Sequence, residues 1–153
     1  MIVPDVNLLL YTYDTDSSVH AQARAWWEAL LSGSDPIGLP HVVIFGFIRV
    51  GTSARAFANP MTHQEAAGHV RAWLARPVVQ VLETGTQDVE PVLRSLEDLG
   101  TAGNLVTDAQ IAAAALAHDA TVHSSDADFG RFPGLRWLNP LADARKRPAS
   151  RRK

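Results

Sequence analysis

The sequence contains no cysteine in 153 residues, which excludes disulfide frameworks, thiol catalysis and Cys-ligated zinc together. Lysine is nearly as scarce. It occurs only at 146 and 153, so residues 1–144 hold no lysine for a Schiff base and no P-loop lysine. No run approaches the ~18 consecutive apolar residues that mark a membrane span. The opening MIVPDVNLLLYTYD lacks a basic n-region and carries Asp5 within it. The expectation is a cytoplasmic protein with no signal peptide and no membrane association. The six histidines form no ligand pattern: His63 and His69 stand six apart, beyond one helix face, and H-E-x-x-H is absent. His41 and His123, near expected strand ends, read as core or surface polar groups.

What is present is unevenly charged. The net charge of −2 combines a basic terminus, RKRPASRRK at 145–153, with a body that sets eight arginines against all 16 acidic residues, a net of −8. The length suits one domain with a single core. We expect that domain over 1–142 and a basic, disordered tail over 143–153. The tail has two readings, a phosphate-attracting arm or a solvated terminus.

Short apolar runs alternate with segments of helical period. Strands are expected at Ile2–Pro4, Pro36–Leu39, Val78–Leu82, Ala120–His123 and Leu135–Leu138, with a helical turn at Leu8–Tyr11. Ser18 is expected to cap a helix reaching about Leu31, closed by Gly33. Trp26 and Trp27 on it suit core or dimer contacts. A mostly apolar helix follows from His41 to about Arg55. Thr62 and Glu65 have capping-box spacing for a helix to about Ala75. Another is expected over Gln87–Leu99, and Thr107 is expected to cap an alanine-rich helix over 108–119. Strands separated by helical segments mean βαβ units. The expected fold is α/β: a three-layer α/β/α domain around a mainly parallel sheet of about five short strands.

The aspartates then acquire positions. Asp5 closes the first strand, Asp126 lies just past the fourth with Asp128 two residues on, and Asp108 opens a helix. Ligands of open α/β sheets bind outside the carboxyl ends of the strands. Each acid has a plainer reading: Asp108 as a first-turn acid worth about 0.3–1 kcal/mol against the helix dipole, Asp126 and Asp128 as turn residues. Their convergence favours a shared role. Carboxylates gathered without a cation force one another to protonate, whereas an oxygen-only cluster suits Mg²⁺ or Mn²⁺. Such ions activate water and stabilise charge on a phosphoryl oxygen, the requirements of phosphodiester cleavage.

Four segments extend this. They are Ile2-Val3-Pro4-Asp5-Val6-Asn7-Leu8-Leu9, Leu105-Val106-Thr107-Asp108-Ala109-Gln110-Ile111-Ala112, Ala120-Thr121-Val122-His123-Ser124-Ser125-Asp126-Ala127-Asp128-Phe129, and Phe132 to Leu141 (FPGLRWLNPL). In order and spacing they resemble the PIN-domain ribonucleases, in particular the VapC-type toxins of bacterial toxin–antitoxin pairs. The resemblance implies a PIN-like domain and a metal-dependent endoribonuclease that cuts structured RNA, transfer or ribosomal, and so inhibits translation. It implies Mg²⁺, with Mn²⁺ as substitute, a VapB-type antitoxin and a homodimer. By motif, Asp5, Asp108 and Asp126 match three of the family's catalytic, metal-binding acids and Asp128 an additional ligand. Asn7, Thr107 and Ser125 fall at supporting polar positions.

One position departs from the pattern. The family's remaining acid is a Glu in a context like Glu-Phe-x-Arg-Val, and here the stretch is Gly46-Phe47-Ile48-Arg49-Val50. An alternative is therefore a catalytically weak or silent PIN module that binds RNA or an antitoxin-like partner. A small Mg²⁺ phosphatase or phospho-acceptor domain is disfavoured, because Asp5-Val6-Asn7 lacks a second Asp and the body lacks Lys. Arg49, Arg55, Arg131 and Arg136 are the candidate RNA-facing cations.

Overall fold

The computed structural model describes residues 1–142; the expected tail at 143–153 lies outside them. Five short strands, β1 (Ile2–Pro4), β2 (Ile37–Pro40), β3 (Val79–Leu82), β4 (Thr121–His123) and β5 (Arg136–Leu138), form one sheet in the order β3-β2-β1-β4-β5. Every pairing is parallel, so the α/β fold is as expected and the sheet is wholly parallel rather than mainly so. Six helices connect the strands: α1 (Val6–Tyr11), α2 (His20–Ser32), α3 (His41–Gly51), α4 (His63–Leu74), α5 (Val89–Leu99) and α6 (Leu105–Ala117). The chain winds from β1 to β3 in one direction and from β4 to β5 in the other. Right-handed crossovers then place α1–α4 and α5–α6 on opposite faces.

The inner strands are apolar on both sides: Val3, Ile37, Leu39 and Val122 are fully buried, as a sheet covered by helices requires. Pro4 and Pro40 each occupy the last position of a strand. A proline has no N–H to continue a ladder, so each releases the chain into the next helix, with Asp5 and Pro40 as the N-caps of α1 and α3. Phe47 of α3 packs on Trp73 of α4 with ring centroids 4.7 Å apart, and Trp27 of α2 meets Trp73 edge-on at 5.5 Å. Trp26 lies beside that cluster and donates to His123 Nδ1 at 3.0 Å.

Helix ends show where local signals hold and where packing overrides them. The capping box is present: Glu65 N donates to Thr62 Oγ1 at 3.2 Å and Thr62 N to Glu65 Oε2 at 2.7 Å. Thr62→Ala is expected to lower stability by about 1 kcal/mol, measured by urea unfolding; an unchanged midpoint would show the box to be energetically idle. Ser18, in contrast, caps nothing. α2 begins at His20, whose Nδ1 meets the Tyr11 carbonyl at 2.9 Å, and Ser17 Oγ accepts from Val19 N. α3 stops at Gly51 rather than near Arg55, with Thr52 as its C-cap donating both its amide and its hydroxyl to the Ile48 carbonyl. Thr107 is not a cap either. α6 starts at Leu105, which is buried on the same helix face as Ala109 and Ala112, so apolar packing draws the helix back to Gly103, whose φ of +62° ends the preceding turn.

Candidate active site

β1 and β4 are neighbours whose outgoing connections run to opposite sides of the sheet. A crevice therefore opens at their carboxyl ends, and the cleft found there has a volume of about 350 Å³. Asp5, Asn7, Thr107, Asp108, Asp126 and Asp128 all line it, together with Gly46, Arg49 and Asn104. Six of the seven residues singled out from the sequence thus share one cleft. Ser125, the seventh, is exposed and stands outside the cleft lining.

The adjacent serine occupies the position expected of Ser125. Pairing of Pro4 with His123 carries Asp5 alongside Ser124, and Asp5 N donates to the His123 carbonyl at 2.9 Å. Fully buried Ser124 then donates from Oγ to Asp5 Oδ2 at 2.7 Å and accepts from Asp126 N at 2.9 Å. One hydroxyl thereby ties together the acids at the ends of two strands. Asp126 caps the 3₁₀ turn at Ala127–Arg131, accepting from Asp128 N at 2.8 Å. Two serines side by side in a sequence are indistinguishable; only the β1–β4 register selects between them. His123 is set apart from this chemistry. Burial lowers its pKa to about 4, leaving it neutral to accept from Trp26.

Oxygens of Asp108, Asp126 and Asp128 all lie within 4.8 Å of one another. In an octahedral Mg²⁺ shell with bonds of roughly 2.1 Å, opposite ligands are about 4.2 Å apart. Adjacent ligands are about 3.0 Å apart, so side-chain rotations that draw the three oxygens together would fit this oxygen-only set to a hard divalent cation. Asp5 flanks the trio and is 3% exposed. Burial raises its pKa, against the lowering effect of Ser124 and of the nearby amides of Val6 and Asn7, which form no capping bond to it.

Asp108 shows what the crowding does. Its pKa is raised to about 7, first by burial and then by repulsion from Asp5, Asp126 and Asp128. Without a cation, the folded state therefore holds its proton more tightly than the unfolded chain between about pH 4 and 7, so its contribution to stability falls as pH rises through that window. The thermal midpoint of EDTA-treated protein is expected to fall by a few degrees between pH 5 and 8, and Asp108→Asn to remove much of the fall. An equal fall in the variant would place its origin elsewhere.

The expected glutamate position is Gly46, buried on α3. A Cβ there would stand 3.0 Å from Val6 Cγ2, so α1 and α3 approach more closely here than a side chain at 46 easily allows. Arg49, one turn further along α3, is the only cationic side chain lining the cleft among the described residues. Arg131 instead reaches Asp128 at 3.5 Å, Arg136 pairs with Asp119 at 2.8 Å, and Arg55 lies outside the cleft.

A family model described as "PIN domain" matches residues 2–135. Ribonuclease VapC33 of Mycobacterium tuberculosis is 45% identical over 143 residues, covering 94% of this chain and 100% of the relative. Ribonuclease VapC37 of the same organism is 37% identical over 142 residues, covering 93% and 99%. Among solved structures, the chain is similar to VapBC2 from Rickettsia felis bound to a promoter DNA fragment, with a TM-score of 0.64, 20% identity and coverage of 91% and 98%. It is also similar to M. tuberculosis VapC20, a Sarcin-Ricin loop cleaving toxin, with a TM-score of 0.67, 16% identity and coverage of 89% and 99%. At these identities the structural likeness concerns the fold.

Proposed function

Because this chain belongs to the PIN-domain family, in its VapC ribonuclease branch, we propose that the cleft is a metal-dependent endoribonuclease site of a toxin paired with a VapB-type antitoxin. The observation that carries the proposal is the convergence of Asp5, Asp108, Asp126 and Asp128 in one cleft, with Asp108 raised to about 7. Such a set gains its full charge only beside a cation. Asp108, Asp126 and Asp128 would hold Mg²⁺, or Mn²⁺ in its place, with Asp5 beside them. Once bound, the cation supplies an activated water and charge stabilisation at the phosphoryl group.

The chain's own groups do the rest. Ser124 fixes Asp5 and the start of the Asp126 turn, so these two acids keep their relative placement. Asn7 and Thr107 border the acids and offer polar atoms to ligand or RNA. Hydrolysis of this kind leaves a 5′-phosphate and a 3′-hydroxyl. Structured RNA, transfer or ribosomal, is the proposed substrate and arrest of translation the consequence, in the cytoplasm. Antitoxin pairing draws support from the VapBC assemblies of similar fold. A homodimer belongs to the same reading, supported by the exposed apolar side chains of Phe45, Val89 and Leu93. No helix among the described residues is long and apolar enough to cross a membrane.

Ser124→Ala is expected to lower cleavage by 10–100-fold with the fold retained, the range found for groups that orient metal ligands; wild-type rates would remove Ser124 from the site. The proposal itself is tested by incubating antitoxin-free protein with transfer and ribosomal RNA in EDTA, Mg²⁺ or Mn²⁺. Discrete, metal-dependent cuts with 5′-phosphate ends are expected, and 2′,3′-cyclic phosphate ends would exclude the hydrolytic route. A second reading, a silent RNA- or partner-binding module, is favoured by Gly46 alone. It becomes the better account if folded protein leaves every RNA intact.

A further inference from the structure

Arg49 stands in an unusual position. Among the described residues, Arg24, Arg94, Arg131 and Arg136 each pair with an acid, while Arg49, Arg55, Arg71 and Arg76 form no ion pair; of these four, Arg49 alone lines the cleft with its four carboxylates. Its helix offers no explanation in packing, since the side chain is exposed. The residue one turn before it, Gly46, lines the same cleft and carries no side chain. An acid at that position would face Arg49 at i, i+3, the spacing of an intrahelical ion pair. Glycine leaves the guanidinium without such a partner, and the close approach of Val6 leaves little room for one.

An acidic cleft also has an electrostatic difficulty with its substrate. Four carboxylates repel a phosphodiester, and the body as a whole has a net charge of −8. A cation that touches phosphate without neutralising a metal ligand relieves this. Arginine suits the task because its planar fork meets two phosphate oxygens at once and keeps its charge at every working pH.

Resting on the nuclease reading for the identity of the polyanion, we propose that Arg49 is the phosphate-anchoring residue of the cleft, and that Gly46 keeps it available by withholding an ion-pair partner. The absent glutamate is then a change of division of labour on α3, from metal ligand to substrate anchor, rather than a defect. The anchor acts on binding of the RNA backbone, so it carries no base preference and responds to salt.

The test uses the full chain in two assays. RNA binding is followed by fluorescence anisotropy in EDTA over a range of salt concentrations, and cleavage in Mg²⁺ over a range of RNA concentrations. Arg49→Gln is expected to weaken binding and raise KM by about tenfold with a smaller change in kcat, and to reduce the salt slope by about 1, while Arg49→Lys recovers part of the affinity. Gly46→Glu is expected to weaken binding more than the equally bulky but neutral Gly46→Gln, and that difference to shrink in the Arg49→Gln background. Thermal midpoints of both position-46 variants identify any loss due to crowding against Val6. Unchanged affinity and salt slope in Arg49→Gln, or faster cleavage by Gly46→Glu, would overturn the proposal. Binding is read without cleavage, so a wild type that binds RNA through Arg49 yet never cuts it would sink the nuclease reading and leave the anchor standing.

Discussion

The Asp126→Asn variant is expected to fold normally and to cleave RNA about 10³-fold more slowly than the wild type, the scale associated with loss of one preorganised electrostatic group in a water-excluded site. The asparagine side chain keeps the oxygen that accepts from Asp128 N, and the backbone amide at 126 still donates to Ser124 Oγ. The 3₁₀ turn and the link to Asp5 therefore survive, and only the charge is removed. Both neighbouring acids feel that removal. Asp126 repels Asp108 and Asp5, so its neutralisation lowers the pKa of each and would deprive the proposed cation of a ligand. Raising Mg²⁺ is expected to recover part of the rate. Steady-state cleavage with circular dichroism as the folding control measures this, and activity within tenfold of the wild type would place the reacting cation elsewhere.

Trp73→Ala is expected to cost about 3–5 kcal/mol, a large share of the roughly 5–15 kcal/mol that holds a domain of this size together. The indole is 2% exposed. It packs on Phe47, meets Trp27 edge-on and donates from Nε1 to Tyr13 Oη at 2.9 Å. Truncation opens a cavity among three helices and strips the Tyr13 hydroxyl of its donor. The consequence reaches the cleft, because Phe47 belongs to α3, the helix that presents Gly46 and Arg49. Leu74, the next residue, is 41% exposed, and Leu74→Ala is the matched comparison with a cost below about 1 kcal/mol. Urea unfolding that finds the two variants equally stable would contradict this account of the core.

Much of the architecture was legible because its signals are local. Apolar runs ending in Pro4-Asp5 and His123-Ser124 mark strands that stop where a site begins, and the Thr62–Glu65 spacing produces the capping box it implies. The acids could be placed at the sheet edge because strand ends are visible in sequence. Local signals failed where tertiary packing decides. Ser18 and Thr107 are good cap residues by type, yet a contact of His20 with Tyr11 and the buried face of Leu105 set those helix starts. Ser124 and Ser125 differ only through strand register, and the choice of Arg49 among four candidate arginines depends on which helix face meets the cleft. Gly46 was visible as a departure, but its crowding against Val6 required α1 and α3 to be seen together.

The most direct measurement is calorimetric titration of Mn²⁺ into metal-free protein at pH 7.5, beside Asp108→Asn and Asp126→Asn. Saturable binding by the wild type is expected, accompanied by proton release because Asp108 must ionise to serve as a ligand, and each variant should bind at least tenfold more weakly. Wild-type protein that binds no divalent cation, or variants that bind it equally well, would contradict the assignment of this cleft as a metal-dependent nuclease site.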